Sequence, residues 1–337
     1  MLSRLDKNSE DVNLMNEIAL AYFENIDLKT EAEDYEFFKK AYETKKTIKS
    51  IHNYAWFLYF EWSELNYGWH RENPDCVKAL EIQKEVLEYV PNTYFPYYQL
   101  GFMLLEQNKI EESIPFLITA ESKSSRKDIT HNLGYAYFLN KEYQKAYSKF
   151  KSIESKYDLE NLSLYNLSLC QLQLELRDEV NDSLAKLEST VESKIHKAID
   201  GYAIAQLYAI NGEYQKCYDC VELQGFDMIE ITDWPDISYS IKKINSKVWE
   251  GQIDKYLSQK ANLISEFENG SEDEDGYSTE EREERIVEIK EEINILKRTK
   301  ESEVVEPETN LFELLMPDHC GCLLFGCKTH GNIKNDE

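Results

Sequence analysis

Residues 97–120 read YYQLGFMLLEQNKIEESIPFLITA and residues 130–153 read THNLGYAYFLNKEYQKAYSKFKSI. Set in phase on Leu100-Gly101 and Leu133-Gly134, which lie 33 residues apart, the two stretches repeat the same side-chain sizes in the same columns. The columns recur at Leu167-Ser168 in LYNLSLCQLQLELRDEVNDSLAKL and at Ile204-Ala205 in YAIAQLYAINGEYQKCYDCV. A small residue (Gly101, Gly134, Ser168, Ala205) follows a large apolar one each time. Apolar residues then return at helical spacing on both sides of a short polar break. Each period therefore predicts two helices joined by a tight turn, with two apolar stripes that one hairpin alone cannot bury.

Working outward, the second period is the fullest, with Leu133, Gly134 and Tyr137 on its first helix and Tyr143, Ala146 and Phe150 on its second. The fourth places Ala205, Tyr208, Gly212, Tyr214 and Cys217 in matching columns, whereas the third has Arg177 and Val180 where Tyr and Ala are preferred. Upstream, NYAWFLYFEW and CVKALEIQKEVLEYVPN form a unit split by an insertion, with Ala55 and Ala79 in small columns. A degenerate unit around Ala19, Tyr22, Phe38 and Ala41 precedes it.

This pattern resembles the tetratricopeptide repeat over roughly residues 10–225. The resemblance implies an all-α fold, a right-handed α-solenoid of stacked hairpins. Units are expected at about 10–45, 48–92, 94–126, 127–160, 161–194 and 198–228, within a solenoid spanning 1–240. In that family the first helix of each unit lines an inner groove, so the resemblance implies a groove built from His52, Trp56, Tyr98, Phe102, His131, Tyr135, Tyr165, Leu169, Tyr202 and Gln206. Chaperone-type members hold a terminal carboxylate with Lys, Arg and Asn at such places. Those cations are missing here, and the aromatic set suits an apolar or amphipathic partner segment instead. The groove could also be filled by the chain's own C-terminal helices.

Past Gly225 the period fades. Apolar residues at 249, 253, 256, 257, 263, 264 and 267 predict a long amphipathic helix. Ser278 with Glu281 reads as a capping box that opens a second helix, carrying Ile286, Ile289, Ile293 and Leu296. Together they predict a helical hairpin over 241–303 with an acidic loop, a surface that could also join two copies of the chain. Residues 304–337 form a linker and a Cys/His-rich tail. In the tail Cys320, Cys322, Cys327 and His330, with His319 as an alternative, supply enough soft donors for a structural zinc ion.

The chain has 337 residues and 42% hydrophobic composition, enough for a sizeable core. Its formal net charge of -26 repels nucleic-acid phosphates and anionic lipid, while a basic partner is compatible with it. The opening MLSRLDKNSEDVN holds no apolar h-region and no membrane-length apolar run occurs, so a cytoplasmic setting with reduced cysteines is expected. The C-x-x-C at Cys217 and Cys220 falls on a predicted second helix and reads as packing. No nucleotide-binding, zinc-protease or nucleophile-elbow motif is present, so no enzyme activity is expected. The expected role is protein–protein recognition as a scaffold or adaptor. Neutralising a basic partner, as a toxin-immunity protein does, is one version. A zinc-dependent regulatory or accessory role through the tail is the alternative.

Overall fold

The computed structural model describes residues 1–25, 32–63, 73–156, 161–192, 199, 201–225, 227–270, 277–302 and 305–328. All regular structure among them is helical. The chain divides into two compact units, Met1–Lys156 with Met316–Glu337, and Tyr157–Leu315.

In the first unit a short α1 (Leu2–Leu5) precedes four hairpins. They are α2 (Val12–Glu24) with α3 (Glu33–Thr44), α4 (Ile48–Phe57) with α5 (Pro74–Glu85), α6 (Phe95–Glu106) with α7 (Ile110–Lys123), and α8 (Lys127–Leu139) with α9 (Tyr143–Glu154). Local chemistry starts several of these helices. Asp11 accepts from the Leu14 amide, Thr47 and Ser50 form a capping box, and Asn73 accepts from the Asp75 amide with Pro74 in the first turn. α4 continues as a π-helical turn, Leu58–Trp62, which borders the insertion at residues 64–72, outside the described residues.

The small column does what the period implies. A β-carbon added at Gly101 would stand 2.8 Å from the Leu117 side chain on α7, and one at Gly134 would stand 3.0 Å from the Phe150 ring on α9. Leu117 and Phe150 are fully buried by this approach. Each such side chain contributes ~1.5–3 kcal/mol on leaving water.

In the second unit, α10 (Asn161–Gln173) pairs with α11 (Arg177–Glu192) and α12 (Gly201–Ile210) with α13 (Tyr214–Gln224). Val180 fills its column fully buried, so the departure there from the repeat pattern still packs. Next come α14 (Met228–Thr232), α15 (Pro235–Ile244), α16 (Ser246–Asn269), α17 (Thr279–Glu301) and α18 (Leu311–Leu314). The long helices α16 and α17 pack together, with Trp249, Ile253, Ile289 and Leu296 buried on them, and Ser278 with Glu281 closes the expected capping box on α17. The acidic loop at 271–276 lies outside the described residues.

Four hairpins share one turn. The residues after their first helices, Asn108, Lys141, Glu175 and Gly212, all have positive φ, from 57° to 81°. In each turn the left-handed residue's amide bonds three residues back and the next amide bonds five back, as in Lys141 to Phe138 (2.8 Å) and Glu142 to Tyr137 (2.8 Å). This is a Schellman closure, which satisfies the last carbonyls of a helix and reverses the chain at once. Gly212 adopts the conformation without strain and Asn108 is the next best suited; Lys141 and Glu175 hold it with ordinary side chains because packing of both helices overrules the local preference.

Candidate functional site

The face made by α2, α4, α6 and α8, the first helix of each hairpin in the first unit, is not empty. Tail residues 316–328 run along it without regular secondary structure, from α8 toward α2. Cys320, Leu323, Leu324 and Cys327 are buried there.

Two dipeptides hold the tail's main chain. On α8, His131 Nε2 donates to the Met316 carbonyl (3.0 Å), and Asn132 brackets Asp318, donating to its carbonyl (2.8 Å) and accepting from its amide (2.9 Å). On α4, His52 Nε2 donates to the Leu323 carbonyl (2.8 Å), and Asn53 brackets Phe325 in the same way, at 3.2 and 2.8 Å. In each dyad the histidine takes the carbonyl of one tail residue and the asparagine takes both main-chain groups of the residue two further on. Groups two residues apart share an edge only in an extended chain, so each dyad acts as a side-chain substitute for a neighbouring strand.

Each clamp is aimed by a buried neighbour. The second amide hydrogen of Asn132 goes to the Tyr98 hydroxyl (2.8 Å), and that of Asn53 goes to Asn16 Oδ1 (3.2 Å), whose own amide is tied to the Val12 carbonyl. Burial pushes the Tyr98 hydroxyl well above its ordinary pKa, so it stays protonated. Both histidines are fully buried, and desolvation pushes each down to about 4, against a smaller upward pull from the tail carbonyl it bonds. They are therefore neutral at pH 7. His52 must carry its proton on Nε2 to donate, so Nδ1 accepts from Gln83 Nε2 (3.3 Å). Gln83 cannot turn over to suit a second proton on that ring, because its amide also donates to the Pro96 carbonyl (3.0 Å) and its oxygen accepts from Gln99 (2.9 Å). With both nitrogens committed, His52 has no free lone pair to act as a base.

The ten expected groove residues divide between the units. His52, Trp56, Tyr98, Phe102, His131 and Tyr135 belong to the first. Trp56 and Phe102 are buried in a ring cluster with Phe60, at 5.3 and 6.1 Å, and Tyr135 is half-buried. In the second unit Tyr165 and Leu169 are buried on α10. Tyr202 donates to the Gly225 carbonyl (2.9 Å), and Gln206 donates to Asp236 on α15 (3.0 Å), so these two engage the following helices. Asp236, together with Thr309, which bonds it, borders a polar cavity of about 270 Å³ that also touches Arg177, Asn211 and Tyr239.

Asn53 and Asn132 were not among the expected residues, although the dipeptide His-Asn occurs twice in the chain, in the same phase of two periods. That duplication is the signal that points to them. Of the expected zinc ligands, His330 lies outside the described residues and His319 is exposed on the tail. Cys320 is buried against the groove, where desolvation pushes its thiol up; Cys322 is pushed up to about 12, chiefly by burial. Among the described residues no three His, Cys, Asp or Glu side chains gather as a metal site. No described helix is long and apolar enough to cross a membrane.

No family model matches the chain. No curated protein matches it either. Among solved structures it is similar to a tetratricopeptide repeat protein from Parabacteroides merdae, at 18% identity over 72% of this chain and 99% of that one, with a TM-score of 0.44. A likeness that loose decides nothing by itself. The recurrent turns and the close approaches at Gly101 and Gly134 show, on this chain's own geometry, an all-α fold of repeated helical hairpins.

Proposed function

We propose that this protein is a non-catalytic interaction scaffold whose first unit takes a non-helical segment of a partner protein along α2, α4, α6 and α8, in competition with its own tail. The observation that carries this reading is the pair of His-Asn dyads. Their hydrogen bonds go to main-chain atoms, which every polypeptide offers, and each clamp presents two neutral buried donors and one acceptor. Such an arrangement captures a strand by its backbone, as strand addition at a sheet edge does. The tail, tethered at high local concentration, sets the threshold that an incoming segment must exceed.

The test uses the full chain with Asp318→Pro and Phe325→Pro, which remove the two tail amides that the asparagines accept from. A capped synthetic peptide copying residues 314–328 is titrated in and followed by fluorescence anisotropy. Binding in trans is expected, and adding Asn53→Ala and Asn132→Ala to the same chain is expected to abolish it. Equal binding with and without the asparagines would refute capture by the dyads.

A further inference from the structure

Taking the groove reading as its basis, the geometry points to a specific class of partner segment. We propose that the groove accepts an internal segment carrying two aliphatic residues, an aromatic residue and a glycine in succession at the α4 dyad, with no acidic residue between the two dyads. The tail's Leu323-Leu324-Phe325-Gly326 is the resident copy of that segment.

Four features carry the proposal. The dyads bracket Asp318 and Phe325, seven residues apart, and so set the register of whatever main chain lies there. The half-buried Phe325 ring lies edge-on to His52, with ring centres 4.7 Å apart, and 5.1 Å from the ring of Phe95, two contacts that suit an aromatic side chain. The next residue has φ 89°, and a β-carbon there would stand 3.2 Å from Leu20 on α2 with Lys49 close by, so only glycine passes without strain. Leu323 and Leu324 are buried beside it, at 0% and 2% exposure, which leaves no room for a hydrated group.

Charge selects in the same direction. Asp128 and Glu106 act on the Cys320 thiol, Glu61 acts on that of Cys322, and Glu24 accepts from the Lys328 amide. Asp128 is paired with Arg126 (2.9 Å), so a carboxylate placed between the dyads would add chiefly to the half-buried Glu106 and Glu61, whereas a neutral or basic segment would not. Tail residues continue past both dyads, so an internal segment fits and no chain terminus is required.

The experiment uses two full-length tail-release variants, Asp318→Pro with Phe325→Pro, and Leu323→Asp with Leu324→Asp. Circular dichroism and thermal melting establish that both keep their helices. The probes are capped fluorescent peptides: the parent copy of residues 314–328, its Phe325→Ala, Gly326→Val and Cys320→Asp/Cys322→Asp forms, and a scrambled sequence. The parent is expected to bind both variants, and to bind the wild-type chain at least ~10-fold more weakly because the tail competes. Phe325→Ala is expected to weaken binding ~30-fold. The glycine and double-aspartate changes are expected to remove it from the measurable range. If the altered or scrambled peptides bind within about threefold of the parent, less than one lost anchor contact is worth, the side-chain rule is wrong while backbone capture stands. If no peptide binds either folded variant, the groove reading itself falls. A wild-type chain that sediments as a dimer and dissociates when the tail is changed would overturn the proposal in favour of tail exchange between two copies.

Discussion

Replacing Asn53 and Asn132 by alanine is expected to undock the tail while leaving the hairpins folded. Each substitution removes two hydrogen bonds to one tail residue, at 3.2 and 2.8 Å for Asn53 and at 2.8 and 2.9 Å for Asn132. A hydrogen bond contributes ~1 kcal/mol net, so each single variant loses ~2 kcal/mol of docking and the double variant ~4 kcal/mol. Main-chain groups left buried without a partner push these values upward. Since 1.4 kcal/mol is a factor of ten, the tail's opening equilibrium rises about 30-fold in each single variant and roughly a thousandfold in the double. Hydrogen exchange followed by mass spectrometry reads this directly, because protected amides exchange in proportion to the population of the open state. The Cys327 amide, which bonds the Leu324 carbonyl (3.2 Å) within the buried stretch of the tail, is the reporter, and amides within α8 provide the internal reference. Acceleration of less than about threefold in the double variant, with unchanged far-UV circular dichroism, would refute the claim that the dyads hold the tail.

Acid should weaken the first unit over a defined window. Burial lowers His52 and His131 to about 4 from an ordinary 6.5, so between those values the unfolded chain takes up protons that the folded chain excludes. The histidine contribution is complete above pH 6.5 and declines as the pH falls toward 4; at pH 5 each ring costs roughly 2 kcal/mol. Urea denaturation across pH 4–7 should show this slope, and His52→Gln with His131→Gln should flatten it; an unaltered slope counts against the assignment. Two glycine substitutions should move stability in opposite directions in the same assay. Gly101→Ala meets Leu117 at 2.8 Å and is expected to destabilise by ~1–2 kcal/mol, whereas Gly251→Ala, inside α16 with nothing within 4 Å, should stabilise by ~0.5–1 kcal/mol. Thiol labelling at pH 8 should leave Cys320 unmodified in the wild type and modify it readily in the Asn53→Ala/Asn132→Ala chain, because docking buries it and holds it protonated. For the same reason, zinc held by Cys320, Cys322, Cys327 and His330 requires thiolates that the docked tail disfavours. The double variant is then expected to bind zinc at least ~10-fold more tightly than the wild type in a chelator competition.

The amino-acid sequence by itself determined the hairpins. Its small and large columns are local, repeated at a near-constant period, and each pairs residues within a few tens of positions, as Gly101 does with Leu117 and Gly134 with Phe150. Even the degenerate third unit keeps the shared turn at Glu175, with the larger Val180 fully buried in the column where alanine is preferred. His52 and His131 were legible as inward-facing positions for the same reason of phase. What covers that face was decided only by tertiary structure. His52 meets Leu323 across 271 positions and Asn132 meets Asp318 across 186. The atoms that the dyads grip on the tail are a main-chain N–H and C=O, which every residue except proline possesses, so those bonds leave no mark in the tail's sequence. Its cysteines and histidines suggested metal chemistry; in the folded chain Cys320 and Cys327 are buried, as are Leu323 and Leu324 between them. Periodicity records which faces must be buried; only the folded chain shows which segment buries them.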